Sequence, residues 1–367
     1  MTSRERVLKA FRKMEGLPDR VPIQFDLCQP LLEHFGRKLG IPVNYTNNPY
    51  EDVTCRISGN EIRLALGSDV VVTGASVRDS FRIEKDADGT WLNEYGMRMR
   101  QGPVYVEVVG YPLADIHTKA EVDAFEFPDP TAPDRYRDAE ALIAKYKKDY
   151  LIIGDIEVTI FSLAQQLVGL EKLLIDMMLE EEYVMPLFAK CAQYQTAVAK
   201  ELIRRGVDAI WYGDDFGTQN NLLMPPEIFR SQVKEFYRSM NEELKKENPD
   251  LILILHCDGA VRTLLRDISE MGFEVFNPVQ PDVPGHSPQE VKDEFDELFA
   301  FWGAVDQQYL LPNGTDEELE ADIAAKINVL GRNGGYMIAP AHIIQNDVSP
   351  ERVEKFIELC RKHGAIY

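Results

Sequence analysis

Eight times along the chain a mainly apolar run meets one or two polar residues at its end and then gives way to an amphipathic stretch. The plainest case is residues 251–255, Leu-Ile-Leu-Ile-Leu, which lead straight into His256, Cys257, Asp258 and Gly259. An unbroken aliphatic run of this length reads as a strand buried on both faces of a parallel sheet. The same pattern predicts strands at 20–26, 69–76, 150–157, 209–215, 275–281, 298–306 and 335–342. Helical spacing fills the gaps. Leu8, Phe11 and Met14 mark a helix over 3–15 that Gly16 ends. Residues 28–66 read as mostly helical with a break at 40–42. Further helices are expected over 135–148, 160–205, 226–246 and 350–361.

Eight strands alternating with helices predict an α/β protein closed into a (β/α)8 TIM barrel. The alternative, an open doubly wound sheet, wants a glycine-rich phosphate turn after the first strand, and Phe25-Asp-Leu-Cys28 is not one. One segment departs from the rhythm. Asp88-Gly89 lies between Phe81-Arg-Ile-Glu84 and Met97-Arg-Met-Arg100, and a third alternating segment covers 104–109. This predicts an antiparallel β-hairpin insertion at about 78–115. Nothing in composition divides the chain, so residues 1–367 are expected to form a single barrel domain with that insertion.

Charge narrows the partners. A net charge of −21 over 367 residues repels nucleic acid and anionic membrane. No apolar run nears the roughly 20 residues of a membrane span. The first residues are charged and lead into an amphipathic helix, unlike a signal peptide. The five cysteines are scattered and form no CxxC pair, which points to a reducing cytoplasmic location and no disulfide framework.

A barrel gathers the ends of all its strands at one mouth. In strand order these ends supply Asp26, Ser76, Asp155 with Glu157, Asp214 with Asp215, His256 with Asp258, Gln280, Asp306 and His342. Such a mouth is rich in carboxylates and imidazoles and poor in arginine and lysine, which suits a metal ion or a cationic intermediate. Each acid also has a plainer role open to it, capping the helix that follows. His256 and Asp258 are two apart and share a face, so Cys257 points away. Neighbours alternate, so only one of Asp214 and Asp215 faces the mouth. Asp215 is the choice here, with Gln219 holding a polar group of the substrate. Trp211, Tyr212, Phe216 and Trp302 supply either an aromatic wall or core packing. His34, His117, His286 and His363 lie on predicted helices or loops and are expected at the surface.

The segments Gly206-Val-Asp-Ala-Ile-Trp-Tyr-Gly-Asp-Asp-Phe-Gly-Thr-Gln219, Leu255-His-Cys-Asp-Gly259, Phe276-Asn-Pro-Val-Gln-Pro281, Phe301-Trp-Gly-Ala-Val-Asp306 and Gly334-Gly-Tyr-Met-Ile-Ala-Pro-Ala-His342 resemble the uroporphyrinogen decarboxylase superfamily. The resemblance spans most of the chain and implies a (β/α)8 barrel. It implies one of two chemistries, cofactor-free decarboxylation of uroporphyrinogen or methyl transfer with corrinoid cofactors, usually assisted by zinc. The decarboxylases carry an arginine-rich motif after the first strand and an essential aspartate after the second. Here those places read Pro22-Ile-Gln-Phe-Asp-Leu-Cys-Gln-Pro30 and Thr73-Gly-Ala-Ser76. The thiol-directed methyltransferases resemble His-x-Cys after strand five with a further cysteine after strand eight. This chain has Asp258 and His342 at those positions.

A harder His256, Asp258 and His342 metal set suits polarising oxygen or nitrogen rather than activating a thiol. The branch implied removes a methyl group from an ether or amine and passes it to a separate corrinoid protein. Asp215 and Glu157 are then the expected catalytic acids, and Asp26, Gln219, Gln280, Trp302 and Asp306 the expected substrate contacts. Zinc and a corrinoid carried by the partner are the expected cofactors, and a homodimer is plausible from the resemblance. Two other readings stay open, a cofactor-free decarboxylase and a non-catalytic tetrapyrrole binder.

Overall fold

The computed structural model describes residues 1–48, 51–102 and 105–367, with the side chains of 52 and 53 left aside. Its strands are β1 (Val70–Gly74), β2 (Trp91–Leu92), β3 (Arg98–Gln101), β4 (Val106–Gly110), β5 (Leu151–Asp155), β6 (Ala209–Gly213), β7 (Ile252–His256), β8 (Val275–Val279), β9 (Ala300–Val305) and β10 (Tyr336–Pro340). Seven of them form one parallel sheet in the order β1-β5-β6-β7-β8-β9-β10, which keeps chain order with β2 to β4 set aside. Helices separate the strands, among them Arg137–Tyr146, Val184–Arg205, Lys234–Glu247, Asp316–Leu330 and Pro350–Gly364. This is an α/β architecture of TIM-barrel type.

The all-apolar runs are explained by burial on both faces. Val70, Val72, Leu151, Ile153, Trp211, Ile252, Ile254 and Trp302 pack inside the curl of the sheet. Their alternate neighbours Val71, Ile152, Ile210, Leu253, Leu255 and Phe301 pack outward against the helices. Period-two alternation therefore continues, but between two apolar environments.

The expected first strand at 20–26 does not form a ladder. Residues 21–28 close the sheet through isolated bridges, Ile23 to Ile338 and Leu27 to Ile344. The cause is local. Pro22 has no N–H to give, and the Ile23 N–H donates to the Asp69 side chain at 2.8 Å instead of to a strand. The Asp69 N–H returns to the Ile23 carbonyl at 2.9 Å. Asp69 is almost wholly buried and also receives Arg6 (2.8 Å) and Arg20 (2.8 Å).

The insertion is a three-stranded antiparallel sheet, β2-β3-β4. Its first arm differs from expectation. Residues 81–84 are not a strand, and the arm is instead Trp91–Leu92 pairing with Arg98 and Met99. Asp88 spends its carboxylate on the N–H and hydroxyl of Thr90, tightening the turn before the strand begins. Residue 104, placed in the third arm, lies outside the described residues; the arm is seen from Val106. The first helix is shorter than predicted, Ser3–Ala10, and the 160–205 stretch divides into Phe161–Val168, Leu170–Leu179 and Val184–Arg205.

Candidate active site

Register builds the site. Gly213 pairs with His256 across β6 and β7, and His256 with Asn277 across β7 and β8. Ile252, Ile254 and His256 share a face by alternation, so the imidazole emerges on top of the barrel's inner packing. Beneath and beside it, Trp211 and Trp302 pack with ring centroids 4.5 Å apart.

Three side chains converge there. His256 Nε2 lies 3.6 Å from Asp258 Oδ2, and His342 Nε2 lies 3.9 Å from that same oxygen. One ligand atom from each residue falls within 4.8 Å of the others. Ligand atoms at about 2.1 Å from a tetrahedral zinc are separated by about 3.4 Å. The residues therefore fit a divalent ion once the two imidazoles draw in around Asp258, by a few tenths of an ångström at each contact with the carboxylate and by at most about 1.4 Å between the rings. Without the ion, the carboxylates must hold the imidazole. Burial disfavours a charged His256, but Asp258, Glu157 and Asp215 outweigh it and raise its pKa to about 10. The neighbouring His342 is moved the other way, lowered by the surrounding protein against the pull of Asp258.

The acids divide into those used by the scaffold and those facing the cavity. Asp214 caps the helix Phe161–Val168, accepting from Ile160 N (3.0 Å) and Ser162 N (2.6 Å). Its neighbour Asp215 turns to the mouth and accepts from the Asp258 N–H at 2.8 Å, which fixes the loop carrying that ligand. Asp215 faces the cavity and keeps solvent exposure, and partial desolvation and the Asp258 carboxylate push its pKa up to about 6. Asp306 accepts from the N–H groups of Gln308, Tyr309 and Leu310 and so starts the turn that follows β9.

Two cavities flank the triad. One, of about 280 Å³, is lined by Asp258, His342, Gln219, Gln280, Asp282 and Asp306. The other, of about 230 Å³, is lined by Glu157, Asp215, His256, Ser162, Gln165 and Gln166. Gln219 and Gln280 bond to each other at 3.2 Å, and Gln280 also accepts from Gly259 N at 3.0 Å. Cys257 is buried and turned away, with its sulfur receiving the Phe216 N–H.

The structure corrects three expectations. The mouth is not poor in arginine. Arg56 lies within it, bonding Asp26 (3.1 Å), Asp155 (2.7 Å) and Glu157 (2.5 Å), with its guanidinium 3.9 Å above the Trp211 ring. Arg63 bonds Asp26 as well, at 2.8 Å. Both oxygens of Asp26 thus accept from arginine, and the side chain is buried, so its first role is to hold Arg56 and Arg63. Burial would raise the Glu157 pKa, but Arg56 and His256 bring it below the usual range; Asp155, buried beside Glu157, is raised to about 6. Second, Trp302 has no exposed surface and gives its indole N–H to Gln24 at 3.2 Å, so it packs the barrel and lines neither cavity beside the triad. Third, His286 is wholly buried against Phe276, not at the surface. Sequence reading missed Arg56 because residues 51–58 carry no strand signal. The one available clue was charge balance, since a rim of converging acids needs a counter-ion.

A family model described as uroporphyrinogen decarboxylase (URO-D) matches residues 94–363, which takes in β5 to β10 and all three triad residues. The chain belongs to the URO-D family. Among solved structures, this URO-D protein is similar to a methyltransferase from Methanosarcina mazei, with a TM-score of 0.74 and 17% identity over 99% of each chain. At that identity the likeness shows a shared fold. A B12-independent methionine synthase from Shewanella sp. W3-18-1 is a more distant match, with a TM-score of 0.45 and 12% identity over 95% of this chain and 96% of that one. No curated protein matches significantly. Among the described residues no helix is long and apolar enough to cross a membrane.

Proposed function

We propose that this URO-D protein is a methyltransferase that takes a methyl group from a methylated ether or amine and passes it to a corrinoid protein, with zinc held by His256, Asp258 and His342. The observation that carries the reading is the convergence of those three side chains between two cavities. The fold shared with a methyltransferase is consistent with it. A bound zinc would act as a Lewis acid on the substrate's oxygen or nitrogen.

The chain's own residues do the rest. The bond from the methyl carbon to oxygen or nitrogen breaks, the methyl leaves as a cation equivalent to the partner's corrinoid, and the electron pair stays on the heteroatom, which then takes a proton. In this reading Asp215, its pKa raised to about 6, supplies that proton. Glu157 is held ionised by Arg56 and offers negative charge to a cationic centre. Gln219 and Gln280 offer amide groups to the bound molecule from the other cavity. The decarboxylase reading lacks its cation, because Arg56 and Arg63 are both already bonded to carboxylates.

The test is metal analysis with a transfer assay. The purified protein is expected to hold about one equivalent of zinc, lost in His256→Ala, and to methylate a corrinoid protein from methyl ethers or methylamines. Full activity without metal, or stepwise carbon dioxide release from uroporphyrinogen, would overturn the proposal.

A further inference from the structure

Asn277 lies on β8 directly beside His256, and its role follows from one contact. Its amide oxygen meets His256 Nδ1 at 2.9 Å. Both side chains are buried, Asn277 at 5% and His256 at 7% exposure, so water does not substitute for either partner. An amide oxygen accepts and cannot donate. With the amide oxygen toward the ring, Nδ1 carries a proton, and Nε2 is the nitrogen left to a metal once the ring gives up its second proton. Nε2 is the atom aimed at Asp258 and toward His342.

We propose that Asn277 is a positioning residue that selects the Nδ1–H tautomer of His256 and so makes Nε2 a metal ligand. This inference rests on the metal-centre reading above. Backbone bonds hold the pair in place from both sides. The Cys257 N–H donates to the Asn277 carbonyl at 2.7 Å, and the Asp214 N–H donates to the His256 carbonyl at 3.1 Å. The histidine is thus fixed in its main chain by two strands and in its ring by one amide. A neutral acceptor also has a consequence for charge. With Asp258 as the one anionic ligand, the set carries one negative charge, so a divalent ion keeps a net positive charge with which to polarise a substrate atom.

The experiment measures zinc affinity by competition with a chelator in the full-length protein and in Asn277→Leu and Asn277→Asp. Leucine removes the acceptor, and aspartate restores one. Zinc affinity is expected to fall 10–100-fold in Asn277→Leu and to stay within about threefold of the parent in Asn277→Asp. Cobalt(II) in place of zinc should keep its visible spectrum in the aspartate variant and change it in the leucine variant. Equal affinity in all three proteins, or equal loss in both variants, would overturn the inference. If Asn277→Leu fails to fold, long-range proton–nitrogen NMR of the zinc-loaded parent decides the question. A protonated Nδ1 on His256 supports the assignment and a protonated Nε2 overturns it. A parent protein that binds no zinc at all would instead count against the metal centre itself.

Discussion

Gly213 shows how a single missing side chain can hold a site open. A Cβ built there would lie 2.2 Å from Glu157 Cγ and 3.0 Å from its Cβ, so Glu157 crosses over the space this glycine leaves. Gly213→Ala is expected to push Glu157 off Arg56 and out of the cavity it shares with Asp215 and His256. A displacement of about 1 Å in such a group costs on the order of 10²-fold in rate, so kcat/KM for methyl transfer should fall by that much while the protein stays folded. Steady-state kinetics beside a thermal melt would check it. Gly259 works in the same way for the metal loop. At φ +91° a Cβ would meet the Gly217 backbone at 2.6 Å, and the close crossing of the two loops keeps Asp258 in place.

His286 is the other residue whose surroundings set a measurable property. Both ring nitrogens are buried without a hydrogen-bond partner, and burial, with Arg262 nearby, lowers its pKa to about 4. The folded protein thus keeps this imidazole neutral, while the unfolded chain binds a proton near pH 6.5. Stability from this group is complete above pH 6.5 and is lost as pH falls toward 4. The shift corresponds to about 3 kcal/mol across that window. Urea unfolding of the parent and of His286→Leu between pH 7 and pH 4 should show a shallower acid loss in the variant. A parallel decline in both would refute this account.

Among elements, the one to single out is the segment 21–28, which completes the ring without being a strand. Asp69 substitutes for part of the ladder, since its carboxylate takes the Ile23 N–H together with Arg6 and Arg20. Asp69→Ala would take the carboxylate from Arg20 and from the Ile23 amide and leave Arg6 with Asp19 alone. Removing one partner of a buried ion pair costs about 3–5 kcal/mol. The urea midpoint should fall accordingly, with the slope nearly unchanged. This is also the scale at which sequence reading succeeds and fails. The seven ladder strands were legible because each is a short apolar run ending in a polar residue. The eighth was misjudged as a ladder because Pro22 and the side chain of Asp69 redirect its bonds, and neither leaves a trace in periodicity. The triad was legible, since His256, Asp258 and His342 follow strands and two-residue spacing puts the first two on one face. Arg56 was not, because a residue between short helices carries no signal for the direction of its side chain.

For the whole molecule, the triad joins residues 86 positions apart, from His256 to His342. A metal ion bound by all three therefore binds the folded chain and not the unfolded one. Such binding stabilises by about 2.7 kcal/mol at a free concentration 100 times the Kd. Zinc should raise the Tm by several degrees, a chelator should reverse the rise, and His256→Ala should show neither effect. A melt indifferent to zinc would argue against the site. The charge of −21 acts at this scale as well, keeping polyanions away from a mouth that already carries more acids than bases.

The seam between residues 21–28 and the last strand is a lap joint, pinned by a few bonds rather than stitched along its length. A cylinder built this way is expected to open first along that line, which faster hydrogen exchange at Ile338 and Ile344 than at Ile254 would show. Asp26 lies within the seam and holds Arg56, so parting the joint is expected to loosen the grip on Glu157 as well. The staves of the barrel and the chemistry at its lip therefore fail together.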